Sequence, residues 1–225
     1  MKAKPAKRQE PELISYNTLR IAIGILGFTF PIIMAIGNIL FGGYSGVQQS
    51  ISAYYHTNMQ HFFVGILFAI GVFLFTYKGY ERKDDIFGNL AGVFAILAAL
   101  CPVSETGSFT SCDPNLSYHD TKSIIHNIAA IGFLSVLIYF TWVLFRKKPG
   151  KDEPTVMKIK RNKWYKGIGI FMLGCVLLIP VYLFLCNQGY LKCLFRLRPV
   201  FWLESFALCA FGVSWFIKGR LILKD

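Results

Sequence analysis

Ser50, Ser52, Tyr54, Tyr55, His56 and His61 crowd the edge of an apolar block in SISAYYHTNMQHFFVGILF, while His126 and Glu204 stand at the start of two others. Imidazole and carboxylate together are zinc donors, and three such ligands leave a fourth position for a water that becomes a nucleophile near neutral pH. His61, His126 and Glu204, drawn from three segments, are the candidate metal ligands, with Glu105 or Asp120 as further acidic donors. Zinc is the cofactor that set would take. Spacing within one segment does not build the site. His119 and His126 would stand roughly 10 Å apart along a helix axis at about 1.5 Å per residue, and His56 and His61 do not share a helical face. No HxxH, HxxxH or HExxH pattern occurs.

The same residues admit other roles. Ser52 with a histidine base would be a nucleophile, although the local sequence has no nucleophile elbow. A polar pocket of Ser50, Ser52, Tyr55, His56, His61, Glu105, Asp120, His126 and Glu204 would hold a lipid head group without reacting. In the plainest role, His61 and His126 sit at helix starts, bond to backbone or serine groups, and tie the ends of a bundle together.

What must position these residues follows from composition. Hydrophobic residues make up 54% of 225 positions, 21 of them phenylalanine, and only 16% are charged. Soluble domains carry nearer a quarter charged residues, so the chain belongs in a bilayer. A spanning helix needs about 20 mostly apolar residues, and six runs approach that: 21–40, 62–77, 86–101, 124–145, 168–185 and 199–217. The expected fold is all-α, a polytopic bundle of six transmembrane helices. Its first run reads as an uncleaved signal anchor.

The net charge of +12 is a topology signal, and nucleic acid is not an expected partner. All but Lys122, Lys192, Arg196 and Arg198 of the 24 basic residues fall before the first run, between the second and third, between the fourth and fifth, or after the sixth. Lys/Arg-rich loops stay in the cytoplasm, which places both termini there and puts every histidine and Glu204 toward the opposite face. The basic stretch 146–166 is also suited to acidic lipid head groups. Four parts result: a basic tail, 1–20; a four-helix transmembrane unit, 21–146; a basic cytoplasmic loop, 147–166; and a transmembrane hairpin with a short tail, 167–225. The hairpin either joins one bundle or packs on it as an accessory.

Smaller features refine the picture. Gly88 and Gly92 have the GxxxG spacing that lets a second helix approach closely. Pro31 and Pro180 fall inside the first and fifth runs, where a missing donor bends a helix. Cys101 with Cys112, and Cys186 with Cys193, bracket two outer loops and form candidate disulfides if the compartment is oxidising. Cys175 and Cys209 lie within runs as small apolar residues.

SISAYYH, GILFAIGVFLFTYKGY and GNLAG, with IHNIAAIGFLSVLIYF and KRNKWYKGIGIFMLGCVLL, resemble the bacterial multi-pass membrane family catalogued as domain of unknown function 998, over residues 50–178. The resemblance implies a multi-pass protein of the bacterial inner membrane and supplies no reaction. A more distant likeness is to membrane hydrolases of the alkaline ceramidase and progestin-receptor type, which arrange serine, aspartate and histidines around zinc. Six runs here replace their seven, and their late HxxxH pair is absent. The leading expectation is a membrane protein that binds or senses a lipid or protein partner, a second copy included. A metal-dependent lipid hydrolase and a small-molecule or ion transporter are the alternatives.

Overall fold

A computed structural model describes residues 16–42, 46–103, 121–148 and 153–223, without the side chains of 192 and 193. Glu105, Asp120, His119 and Cys112 lie outside the described residues. Six α-helices run through the described residues: α1 (Tyr16–Phe41), α2 (Gln60–Thr76), α3 (Arg82–Leu100), α4 (Thr121–Trp142), α5 (Val156–Asn187) and α6 (Pro199–Lys218). There is no strand among the described residues. Among the described residues four stretches are long and apolar enough to cross a membrane: Tyr16–Phe41, Thr121–Arg146, Val156–Asn187 and Leu194–Lys218. The helix α2 is apolar but shorter, and α3 opens with the charged residues Arg82, Lys83, Asp84 and Asp85.

Local chemistry sets the helix ends. Asp84 Oδ2 accepts from the Tyr80 and Glu81 N–H groups at 3.0 and 3.3 Å, which fixes the turn that enters α3. Thr155 caps α5 by accepting from the Lys158 N–H at 3.2 Å. Pro199 occupies the first turn of α6, where its missing donor costs nothing. Before it, Arg198 takes a left-handed conformation at φ 54°, which turns the chain from a short 3-10 helix, Lys192–Leu197, into α6.

Successive helices run in opposite directions. At one end of the bundle the Asn58 amide donates to the Phe41 carbonyl at 2.9 Å, and the Phe201 N–H donates to the Gln49 carbonyl at 3.0 Å. At the other end Tyr16 meets the Lys78 backbone, and Lys158 Nζ donates to the Phe145 carbonyl at 2.8 Å.

One core contains residues from all six helices, among them Phe30, Phe63, Ala95, Phe133, Met172 and Phe211, each nearly or fully buried. Two crossings bring backbones close. A Cβ at Gly92 would lie 2.9 Å from the Gly71 carbonyl, and one at Gly88 3.0 Å from that of Leu74, so the GxxxG spacing of α3 does admit α2. The second crossing joins α1 to α6, where a Cβ at Gly212 would lie 2.7 Å from the Gly24 carbonyl. Toward the basic end, Trp215 is fully buried and packs edge-on against Tyr77 and Phe145 at centroid distances of 5.4 and 5.0 Å.

The cysteines divide. Cys186 is disulfide-bonded, and its expected partner Cys193 has a side chain outside the description. Cys101 is a free thiol, and its expected partner Cys112 lies outside the described residues. The Cys101 carbonyl is engaged at the site described next.

Candidate functional site at the Ser52 end of the bundle

The segment between α1 and α2 carries a short 3-10 helix, Ser52–His56, pinned from several sides. Ile51 donates its N–H to Glu204 Oε2 at 2.7 Å, and Ser50 Oγ accepts from the Ala53 N–H at 3.2 Å. Tyr54 is fully buried, and its hydroxyl accepts from the Gln48 N–H at 3.2 Å. These bonds give polar groups near the bundle the partners that burial demands. They also fix where Ser52 points.

Ser52 Oγ lies 2.8 Å from His126 Nε2. On the other side of the ring, His126 Nδ1 lies 2.9 Å from the Ala98 carbonyl and 2.7 Å from the Cys101 carbonyl. Carbonyl oxygens only accept, so Nδ1 carries the proton and donates it to the end of α3. In the neutral imidazole Nε2 is then the acceptor, and the Ser52 hydroxyl donates to it. His126 is 2% exposed, so the ring is held in one tautomer and one orientation.

Beside this pair a cavity of about 380 Å³ opens between α4, α5 and α6. Ser50, Ser52, His126, Asn127 and Glu204 form its polar end. Its walls are mostly apolar: Ile131, Leu134 and Ile138 from α4, and Leu173, Val176, Leu177 and Leu183 from α5. Ile131 and Leu177 are 59% and 56% exposed, so the cavity opens sideways between α4 and α5. Pro180 lies in the α5 wall. Having no N–H, it leaves the Val176 carbonyl, one turn earlier and in the same wall, without its helical partner.

Placed on this geometry, the expected site residues separate. Ser50, Ser52, His126 and Glu204 come together at the cavity. His61 does not: it is exposed on α2 and lines neither cavity that His126 and Glu204 share. His126 has both ring nitrogens engaged by protein groups, which leaves no lone pair for a metal in this arrangement. Among the described residues no three His, Cys, Asp or Glu side chains converge as metal ligands, so the set His61, His126 and Glu204 is not assembled. Tyr55 packs edge-on against His56 and Phe63. His56 itself meets the Val103 carbonyl, which ties the 3-10 helix to the end of α3.

Asn127 and Ser135 are cavity residues that the sequence reading did not single out. Their spacing carried a signal, since 127, 131 and 135 recur every four residues along one face of α4. Comparison with family models, curated proteins and solved structures found no match to the chain.

Proposed function

We propose that this chain is a six-span membrane protein that holds one hydrocarbon chain of an amphiphile in the α4–α5–α6 cavity, with the polar head at Ser52, His126 and Glu204. The observation that carries this reading is the cavity's division into a small polar end and long apolar walls that open sideways. Binding pockets combine apolar walls with a few placed polar groups that fix orientation. A volume of about 380 Å³ suits one acyl chain with a compact head.

The alternation of direction supports a reading with six spans. At about 1.5 Å per residue the 17 residues of α2 reach roughly 26 Å, and α3 from Ile86 onward roughly 22 Å, with its charged first turn among the head groups. Both are shorter than the hydrocarbon thickness of about 30 Å and would use their polar flanks to complete the crossing. Basic side chains gather at the opposite end, among them Arg20, Lys147, Lys158 and Lys218. By the positive-inside rule that end faces the cytoplasm and the Ser52 end faces outward. A photoreactive fatty acid or lysophospholipid incubated with the purified protein should label peptides of α4 and α5 around Leu134 and Val176. Labelling spread evenly over all lipid-facing helices would oppose the reading.

A second reading, hydrolysis of the bound lipid's ester or amide, is favoured by the Ser52–His126 hydrogen bond. Ser52 Oγ would attack the carbonyl carbon while His126 Nε2 takes its proton, then returns it to the leaving alcohol or amine; water would release the acyl group by the same exchange. The Ala98 and Cys101 carbonyls would hold the imidazolium as an aspartate does elsewhere. Against it, two backbone donors flanking Ser52 are already engaged, those of Ile51 by Glu204 and Ala53 by Ser50. Stabilising a developing oxyanion normally needs such donors. Binding therefore stands first.

A further inference from the structure

At the end of the bundle remote from Ser52, a cavity of about 290 Å³ is lined by seven cationic side chains and, among the described residues, no carboxylate. Arg20 comes from α1, Lys147 and Lys148 from the segment after α4, Lys158 and Arg161 from α5, Lys218 from α6 and Arg220 from the turn after it. Positive charges brought this close repel one another, and a fold keeps such an arrangement when something negative occupies it. Lys147 Nζ meets Asp84 at 2.6 Å and Glu81 at 3.1 Å, and Arg161 donates to the Leu223 carbonyl at 3.2 Å.

Two groups stand out for what they do not contact. Lys218 is 9% exposed and has no ion pair among the described residues; its ammonium lies 5.1 Å from the Phe145 ring centre and 5.4 Å from that of Tyr80. Aromatic faces attract a cation but offer it no acceptor oxygen. Arg20 Nε is buried without a hydrogen-bond partner among the described residues. Buried donors are nearly always satisfied, by protein or by what binds there. Tyr80, Thr155 and Tyr165, which also line the cavity, supply hydroxyls at the same place.

We infer that this cavity is a binding site for a phosphate group, as an anionic phospholipid head or as a soluble phosphate compound. Phosphate matches the donor set in charge and in number of acceptor oxygens, and guanidinium and ammonium groups are the side chains that recognise it. The site is independent of the Ser52 cavity, so either can fail alone.

The full-length protein in phosphatidylcholine nanodiscs tests this with two probes, pyrophosphate in the buffer and phosphatidic acid in the disc. Pyrophosphate binding is read by calorimetry, and retained phosphatidic acid by mass spectrometry of the ejected complex. Lys218→Met keeps the aromatic packing without the charge, Arg20→Gln removes the second group, and Lys160→Gln/Lys163→Gln removes charge from the exposed face of α5. At least one probe should bind the wild type. Each cavity variant should weaken it by about tenfold or more, the loss of one charge-assisted hydrogen bond, and the exposed-face variant should change it far less. Pyrophosphate binding in pure phosphatidylcholine discs that disappears when phosphatidic acid is added assigns the lipid as occupant. Binding that persists assigns the soluble source. Failure of both probes to bind wild type, or equal loss in the exposed-face variant, would overturn the site.

Discussion

Ser52 and His126, 74 positions apart, share a hydrogen bond of 2.8 Å because two other contacts fix the imidazole and one fixes the segment that presents the serine. The Ala98 and Cys101 carbonyls accept from the Nδ1–H, and Glu204 accepts from the Ile51 N–H one residue before Ser52. Three helices and a loop thus converge on one hydroxyl. The arrangement is equally that of an anchor for a polar lipid head and of an activated nucleophile.

Those two roles part on reactivity. If Ser52 is activated, a fluorophosphonate carrying an alkyl chain labels it, Ser52→Ala abolishes labelling, and His126→Gln slows it by about 10²-fold or more, the usual contribution of a general base. Peptide mapping of the labelled protein checks this. An unlabelled Ser52 in folded wild type removes hydrolysis and leaves lipid binding untouched.

A second relationship holds the basic end in shape. Burial pushes the Asp84 carboxyl up, but the hydrogen bond from Lys147 and the Tyr80 and Glu81 N–H groups outweigh it and keep it below its ordinary 3.8. The same contact, with a smaller contribution from Glu81, raises Lys147 above its ordinary 10.5. A depressed carboxyl stabilises the fold above pH 3.8 and loses that contribution as pH falls through its folded value; a raised ammonium stabilises it below pH 10.5 and loses that as pH rises through its folded value. Asp84→Asn should therefore destabilise the protein by about 2–3 kcal/mol near neutral pH, seen as a lower melting temperature in detergent. The difference from wild type should shrink toward both pH extremes. A constant difference across pH would mean the carboxylate acts only through its shape.

Close helix crossings make a separate prediction. Gly212→Leu places a side chain where a Cβ alone would meet the Gly24 carbonyl and the Phe28 backbone at 2.7 Å. Overpacking of this kind costs about 1–3 kcal/mol or more. Gly174→Leu on α5 meets nothing within 4 Å and should be near neutral. Thermal unfolding of the two variants side by side checks the pair, and equal loss in both would contradict the α1–α6 crossing.

Thiol chemistry gives a fourth. Cys101 should react with maleimide in unfolded protein without prior reduction, whereas Cys186 should react only after it. Mass mapping of alkylated peptides separates the two. Protection of Cys101 that reduction relieves would restore the pairing with Cys112.

Much of the helical layout was legible from one-dimensional pattern. Apolar runs locate the six α-helices of the described residues, because each carries hydrophobic side chains over most of its circumference. Charge placement foretold which ends gather lysine and arginine, and GxxxG marked α3 as a place of close approach without naming α2 as its partner. The α1–α6 crossing was not legible, since Gly24, Gly27 and Gly212 lie in segments nearly 190 residues apart and no local spacing links them. At the site, Ser52, His126 and Glu204 were named, but their partners were mispaired. The sequence groups His61 with them because it stands at the same end of its apolar run as His126 and Glu204 do of theirs. The turn of the 3-10 helix and the start of α2 place it on an exposed face instead. His126's ties to Ala98 and Cys101 are to backbone carbonyls, which every residue has and no sequence pattern marks.

The central claim, that the Ser52 cavity holds an amphiphile, is tested most directly by native mass spectrometry of the detergent-purified protein beside Ala130→Phe, which fills the cavity from α4. Wild type should carry one amphiphile per chain that survives detergent exchange, and the variant should fold but carry none. Wild type that is empty after mild purification and stays empty with added fatty acid or lysophospholipid would contradict the account. So would a folded Ala130→Phe variant that retains the same ligand in the same amount.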